Sequence, residues 1–285
     1  MTITKNFGYF CRNWLLPPKF FEKLINFYNK NKHRTTQHEK LILKRNAIFK
    51  DKYKGKRCFV IGNGPSLNKV DLSRINGEIT VVMNRFDLYP TLKQWQPTFY
   101  CAGDPPDSYT NESREALKLV GKKIKPEAFF YPLSMQSIIK TCHVHPKEKT
   151  FYLDMCENLE YWDLNKYKID LTKKTAGVQT TAILGIMIAM YAGCNKIYLL
   201  GMDFSWLAYQ KIPLMAHFYE NINENDEDNI ENTWKYKQNI EAVLIMCKQY
   251  EIIHKYAQKR NIEIINVTDN SFLDEFPRAK FEDII

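Results

Sequence analysis

The 285-residue chain lacks any pair of cysteines at CxxC spacing and any long uninterrupted apolar run. Its seven cysteines, at 11, 58, 101, 142, 156, 194 and 247, are odd in number and scattered. That excludes a zinc ribbon and a thioredoxin-like motif and disfavours a secreted disulfide framework. The longest apolar stretch, 178–193, is 16 residues and already contains Gln179, Thr180 and Thr181. A membrane-spanning helix needs ~20. Near the start, Trp14-Leu15-Leu16 breaks at Pro17-Pro18, which is too short for a signal peptide. The expected compartment is therefore reducing and cytoplasmic. Neither a GxGxxG nor a GK[ST] loop occurs, so nicotinamide binding and P-loop hydrolysis are disfavoured. Repeats are absent as well.

What is present is a globular balance, with 45% hydrophobic and 26% charged residues. A chain this long buries a core without disulfide or metal support. The net charge of +9 is uneven. Residues 1–57 hold 15 Lys/Arg against 3 Asp/Glu, and the remainder holds 26 against 29. A nucleic-acid enzyme would carry its positive charge around the site, so no nucleic-acid partner is expected. Phe20, Phe21, Leu24, Ile25, Phe27 and Tyr28 recur at helical spacing among Lys19, Lys23, Lys30 and Lys32. This suits an interfacial helix on an anionic membrane. It equally suits a helix packed on the domain, followed by a solvated basic linker over 29–40. The expected organisation is a basic amphipathic extension over 1–54 and an α/β domain over 55–285. The protein would be cytoplasmic, peripheral at the inner face of the membrane, with an oligomer compatible.

From residue 57 the pattern becomes one of short apolar runs and helical stretches. Arg57–Ile61, Glu78–Met83, Thr98–Ala102, Lys196–Leu200 and Ile262–Val267 read as strands, with weaker candidates at 128–131 and 150–153. The apolar run Val178–Tyr191 is too long for a strand and reads as a buried helix. Thr233–Arg260 reads as an amphipathic helix. Alternating strands and helices predict a Rossmann-like, mainly parallel sheet with helices on both faces. Ligands then bind beyond the carboxyl ends of the strands.

Those ends carry the chemistry. Gly62-Asn63-Gly64-Pro65-Ser66 follows the first strand. Its glycines allow positive φ and close backbone approach to a ligand, and its N–H groups suit a phosphate. A tight structural turn is the plainer alternative. Asn84-Arg85 and Gly103-Asp104 follow the next two strands. Lys173-Lys174-Thr175-Ala176-Gly177 precedes the buried helix, with Thr175 as its expected cap. A positive helix end beside two lysines favours an anion; ordinary capping explains the same residues. Asp203, in Gly201-Met202-Asp203-Phe204, would hold a ribose hydroxyl, a metal or an acceptor, or cap a turn. His217 sits in the following polar loop and titrates near neutrality, as a general base should. His143 and His145 form an HxH without a third ligand at convincing spacing. The acidic stretch 223–231 lacks the glycine and spacing of a calcium loop. No metal site is expected from either.

Taken in order, these residues resemble a known family. Cys58 to Leu67, Asn84-Arg85, Pro97-Thr98-Phe99-Tyr100, Ile197 to Asp203, His217-Phe218 and Phe276-Pro277 look like the bacterial proteins grouped with the archaeal 6-hydroxymethylpterin diphosphokinases. The same elements are similar to bacterial sialyltransferases that use a CMP-activated sugar: Gly62 to Ser66, Asn84, Thr175-Ala176-Gly177-Val178 and Tyr198 to Phe204. There, the first three elements bind the CMP moiety, a downstream histidine is the base, and no metal is strictly required. That resemblance assigns His217 as base, with Lys173 or Arg85 neutralising the leaving phosphate. This sequence departs from it at Lys173-Lys174, where the relatives carry an arginine, at Ser205-Trp206, where they carry tyrosines, and at Asp104, where they carry an asparagine. What the resemblance implies is a glycosyltransferase. It would move a CMP-activated nonulosonic acid such as sialic acid to a surface glycan, lipopolysaccharide, capsule or a related lipid-linked acceptor, with no cofactor. The alternative is a diphosphokinase passing pyrophosphate from ATP, with Mg²⁺ on Asp104 and Asp203. A third reading is a non-catalytic nucleotide-binding scaffold.

Overall fold

Eight runs rich in β-branched and aromatic residues form one sheet in the computed structural model, which describes residues 35–90, 92, 94–103, 111–158, 168–205 and 236–285. The strands are β1 (Arg57–Ile61), β2 (Ile79–Met83), β3 (Phe99–Cys101), β4 (Ala128–Pro132), β5 (Thr150–Asn158), β6 (Lys174–Gly177), β7 (Lys196–Leu200) and β8 (Glu263–Asn266). They run β6-β5-β4-β3-β2-β1-β7-β8 across the sheet, and every pairing is parallel. The fold is α/β and Rossmann-like. Central strands are buried on both faces, which is why they read as continuous apolar runs rather than alternating ones.

The order reverses at β1. Strands β2 to β6 build outward on one side, and the chain then crosses back to lay β7 and β8 on the other. Crevices open at such reversals, outside the carboxyl ends of the strands. Helix α1 (Gln37–Lys44) packs along β5, and one face is covered by α4 (Thr181–Tyr191) and α5 (Tyr236–Gln258), together with Phe49. The other carries α2 (Asn111–Lys123), α3 (Gln136–Thr141) and several 3₁₀ turns.

Three local findings differ from the sequence reading. The first concerns residues 35–54, expected within the extension, which pack into the domain. Thr36 and Glu39 form a reciprocal capping box at the start of α1. Leu43, Asn46 and Phe49 are buried. Phe49 meets Phe99, Phe130 and Phe151 edge-on, with centroids 5.4, 5.4 and 4.8 Å away. Asn46 Nδ2 donates to the carbonyls of Tyr152 (2.8 Å) and Leu171 (2.6 Å). The aromatic segment before residue 35 lies outside the described residues.

The second difference is that Lys174-Thr175-Ala176-Gly177 is a strand, β6, so Thr175 caps no helix. The third is that α4 starts at Thr181 and not at 178, because the Thr180 side chain supplies the cap by accepting from the Ala182 N–H (3.4 Å). Ten of its eleven residues are buried. A helix wrapped on all sides has no polar face to mark where it begins.

Candidate functional site

A cavity of about 410 Å³ opens at the reversal point. Its walls come from the ends of β1, β2 and β7 (Gly62 to Gly64, Met83-Asn84, Gly201 to Ser205), the start of α4 (Thr180 to Ala182), and Met246, Tyr250 and Leu273. One half is apolar, formed by methionines, Phe204, Tyr250 and Leu273. The other is polar.

The loop after β1 is held by β7 rather than shaped by unusual dihedrals. Gly62 and Gly64 donate their N–H groups to the carbonyls of Leu200 (2.8 Å) and Gly201 (2.9 Å). A Cβ on Gly62 would lie 2.5 Å from the Gly201 oxygen, and one on Gly64 would overlap the Asp203 carboxylate. Gly64 has φ −66°. The glycines are therefore required for close packing against the strand end; the positive φ expected there belongs to Gly201 (+65°). Pro65 then opens a 3₁₀ turn over Pro65–Lys69.

Asp203 faces this turn. Its Oδ1 accepts from the Ser66 N–H (3.0 Å), and its Oδ2 accepts from the Ser66 hydroxyl (2.7 Å). Burial raises its pKa above the usual carboxylate value, against the lowering effect of the Ser66 bonds. Its carbonyl is held by the Phe272 N–H, while Met202 is held by Thr268 and Ser271. Phe204 follows at φ +56°, a strained conformation for a bulky residue. That conformation lets its ring meet Tyr250 edge-on, 5.9 Å between centroids, inside the cavity. Burial keeps the Tyr250 hydroxyl protonated, against a lowering influence from Thr180.

Two asparagines carry the polar half. Asn63 Nδ2 donates to the Met83 carbonyl (3.1 Å), which fixes the amide. Asn84, at φ +51°, donates its N–H to Cys101 and accepts at its carbonyl from the Tyr100 hydroxyl (2.9 Å). The side-chain oxygens Asn63 Oδ1 and Asn84 Oδ1 are both buried and unpartnered. A buried acceptor without a donor costs about 1–3 kcal/mol, so the pair is suited to a ligand that brings N–H or O–H groups. Beside them the N-terminus of α4, with two threonine hydroxyls, favours an anion.

The other described candidates from the sequence do not line this cavity. Arg85 turns to the buried Asp87 (2.9 and 3.2 Å). Lys173 pairs with Asp170 (3.1 Å) on the surface. Thr175, Ala176 and Gly177 sit on edge strand β6 and do not line the cavity. Asp104 and His217 lie outside the described residues. Thr180, Thr181 and Tyr250 line the cavity and are not among the sequence-derived candidates. His145 is a core residue, stacked on Phe129 at 3.6 Å with Nε2 2.5 Å from the Tyr131 hydroxyl. Burial drives its pKa down to about 3. Among the described residues no group of three His, Cys, Asp or Glu side chains is placed to hold a metal. Asp203, with both oxygens committed to Ser66, does not by itself fit a magnesium site. A second recess, about 680 Å³, lies across the Ser66 turn and is lined largely by exposed charged residues; it holds no buried, unpartnered polar atom of the kind found in the first.

The family profile described as "6-hydroxymethylpterin diphosphokinase MptE-like" matches residues 32–208. No curated protein matches significantly. Among solved structures, the fold is similar to that of the sialyltransferase CstII from Campylobacter jejuni in complex with the substrate analogue CMP-3FNeuAc. The identity is 15%, covering 78% of this chain and 86% of that one, with a TM-score of 0.46. The same sialyltransferase with a trisaccharide acceptor and CMP gives 16% identity, 78% and 85% coverage and a TM-score of 0.46. The likeness is one of fold.

Proposed function

This chain belongs to the MptE-like family, and we propose that it is a nucleotide-dependent transferase whose donor is a CMP-activated sugar, a nonulosonic acid such as sialic acid. The acceptor in this reading is a hydroxyl of a bacterial surface glycan. One observation carries the nucleotide: two asparagines with buried, unpartnered amide oxygens and a helix N-terminus line one cavity of about 410 Å³. Ribose hydroxyls or an exocyclic amine would meet Asn63 Oδ1 and Asn84 Oδ1. The phosphate would meet the first N–H groups of α4 and the Thr180 and Thr181 hydroxyls, where positive partial charge gathers. The apolar half, with Phe204 and Tyr250, would take a ring face. The motif order that resembles the CMP-sugar sialyltransferases supports cytidine as the base.

In the transfer, the acceptor oxygen bonds the anomeric carbon as the bond from that carbon to the phosphate oxygen breaks. CMP leaves with the electron pair, and the acceptor proton passes to a base. His217 is the candidate base. The α4 N-terminus, rather than Lys173 or Arg85, would stabilise the charge that develops on the leaving phosphate.

Family membership favours a second reading, pyrophosphoryl transfer from ATP. That reaction needs Mg²⁺. Asp203 would have to leave Ser66 to serve as a ligand. The two readings separate in a thermal-shift screen against CMP, CDP, UDP, GDP, ADP and ATP, each with and without Mg²⁺. A ligand at a hundred times its dissociation constant adds ~2.7 kcal/mol of stability. The transferase reading expects a rise with CMP or CDP in the absence of metal, lost in Asn84→Ala. A rise with ATP that requires Mg²⁺ would replace it with the diphosphokinase. No rise with any nucleotide removes the nucleotide site altogether. If CMP binds but His217→Ala leaves the cellular function intact, the protein is a binding scaffold.

A further inference from the structure

The face of α1 turned away from the core is unusual for a helix that is pinned so firmly on its inner side. Leu41 and Ile48 are 63% and 64% exposed. They stand seven residues apart, on one side of α1 and the 3₁₀ turn Arg45–Phe49 that continues it. Lys40, Lys44 and Lys50 are exposed around them. The neighbouring basic residues that do have partners point elsewhere: Arg45 to the carbonyls of Lys147 and Glu148, Lys52 to Glu127, Arg57 to Glu78. The surface left over is therefore an apolar pair ringed by lysines. Aliphatic side chains set among cations are the pattern by which a helix meets an apolar and anionic surface.

The position of this stripe adds direction. Thr35 bonds the Asp154 carboxylate (2.7 Å), and Asp154 pairs with Lys174 beyond the point where β4 ends at Pro132. So α1 begins at the carboxyl edge of the sheet, the edge that carries the cavity, and Phe49, in the turn that continues it, packs into the same core as α4 and α5. The sequence before residue 35 holds seven Lys/Arg against one Asp/Glu.

We propose that the Leu41–Ile48 stripe is a docking surface for an anionic lipid bilayer, and that it holds the cavity edge next to that bilayer. The inference does not depend on which nucleotide the cavity takes. Aliphatic side chains would enter the headgroup boundary while the lysines meet lipid phosphates, each basic residue adding several-fold to the partition.

The test is sedimentation of the full chain with phosphatidylcholine vesicles, with and without phosphatidylglycerol. The wild type should sediment with the anionic vesicles only, and high salt should release it. Leu41→Gln with Ile48→Gln should lower the partition coefficient on the order of tenfold. Lys40→Gln with Lys44→Gln should lower it by about as much. All four positions are exposed, so unchanged thermal melting is expected and separates lost docking from lost fold. Nucleotide-induced thermal shifts of the variants should match the wild type, so that failure here leaves the cavity reading intact. The proposal is overturned if the wild type ignores anionic vesicles. It is also overturned if the Leu41/Ile48 variant binds them as well as the wild type, or if a short RNA duplex competes the protein off them.

Discussion

Asp203 is the residue where a structural role and a chemical role predict opposite results. In the structure the carboxylate serves the Ser66 turn through two hydrogen bonds, at 3.0 and 2.7 Å. Its pKa is raised, because burial disfavours the charge more than the Ser66 bonds favour it. For a carboxyl group with a raised folded-state pKa, the folded state binds the proton more tightly than the unfolded state does. The stability linked to this group is present below the unfolded value of 3.8 and is lost as pH rises through the folded value. An asparagine imitates the protonated form. Its oxygen can accept the Ser66 N–H, and its amide can donate to the Ser66 hydroxyl, which turns to accept. Asp203→Asn should therefore change stability by less than about 1 kcal/mol at neutral pH and keep nucleotide binding. Asp203→Ala leaves the Ser66 N–H without a partner and removes both bonds. It should cost ~1–3 kcal/mol, or roughly 2–6 °C in Tm for a chain of this size, and loosen the turn that walls the cavity. Thermal melting of both variants from pH 4 to 8, with and without CMP, reads all of this. An Asp203→Asn variant that melts like wild type but has lost all nucleotide binding would refute the reasoning, because the charge itself would then be acting on the ligand or on a metal.

Gly64→Ala should be far more damaging than a one-carbon change elsewhere in a turn, since its Cβ would overlap the Asp203 carboxylate; a lowered Tm and no nucleotide-induced shift are expected, and an unchanged shift would show that the loop can move away from β7. His145 should make stability fall in mild acid. Its pKa drops to about 3 on folding, so the stability it confers is present above 6.5 and is lost as pH falls from 6.5 toward 3, by up to ~1.4 kcal/mol per pH unit; urea melts at pH 7 and pH 5 should show this loss in the wild type and a shallower one in His145→Gln. Thr36→Ala breaks the capping box of α1 and should cost ~1 kcal/mol by the same melts, whereas a solvated linker at this position would show no change.

The parallel sheet was legible because its inner strands are buried on both faces and appear as unbroken apolar runs. What escaped was each element without that signature. β6 has four residues, two of them small, and pairs with β5, so neither length nor alternation separates it from a loop. The segment 37–54 looked like part of a basic extension, with a solvated linker over 29–40 as one reading, because lysines dominate its composition. Yet only Leu43, Asn46 and Phe49 need to face inward for it to join the core. The capping box Thr36–Glu39 was a visible signal of a helix start, and it outweighs composition because it names a hydrogen bond rather than an average.

The site divides along a different line. Residues that end a strand could be placed from sequence, because a parallel sheet brings all carboxyl ends to one edge; Gly62, Asn63, Gly64, Asn84 and Asp203 arrive together for that reason. What each does there depends on partners far away in the chain. Ser66 and Asp203 are 137 residues apart, and Gln179 is held by Gln249 across 70. The reading of Thr175 as the helix cap failed by five residues. That error moved the anion-favouring helix end from the cavity at the strand reversal to the outer edge of the sheet. Once Thr180 is the cap, the positive end of α4 lines the same cavity as Asn63 and Asn84, whose side-chain oxygens are buried and unpartnered. That coincidence is a stronger argument for a nucleotide than any one motif, since a phosphate and a donor-bearing sugar or base are what a single molecule would need to present to satisfy both.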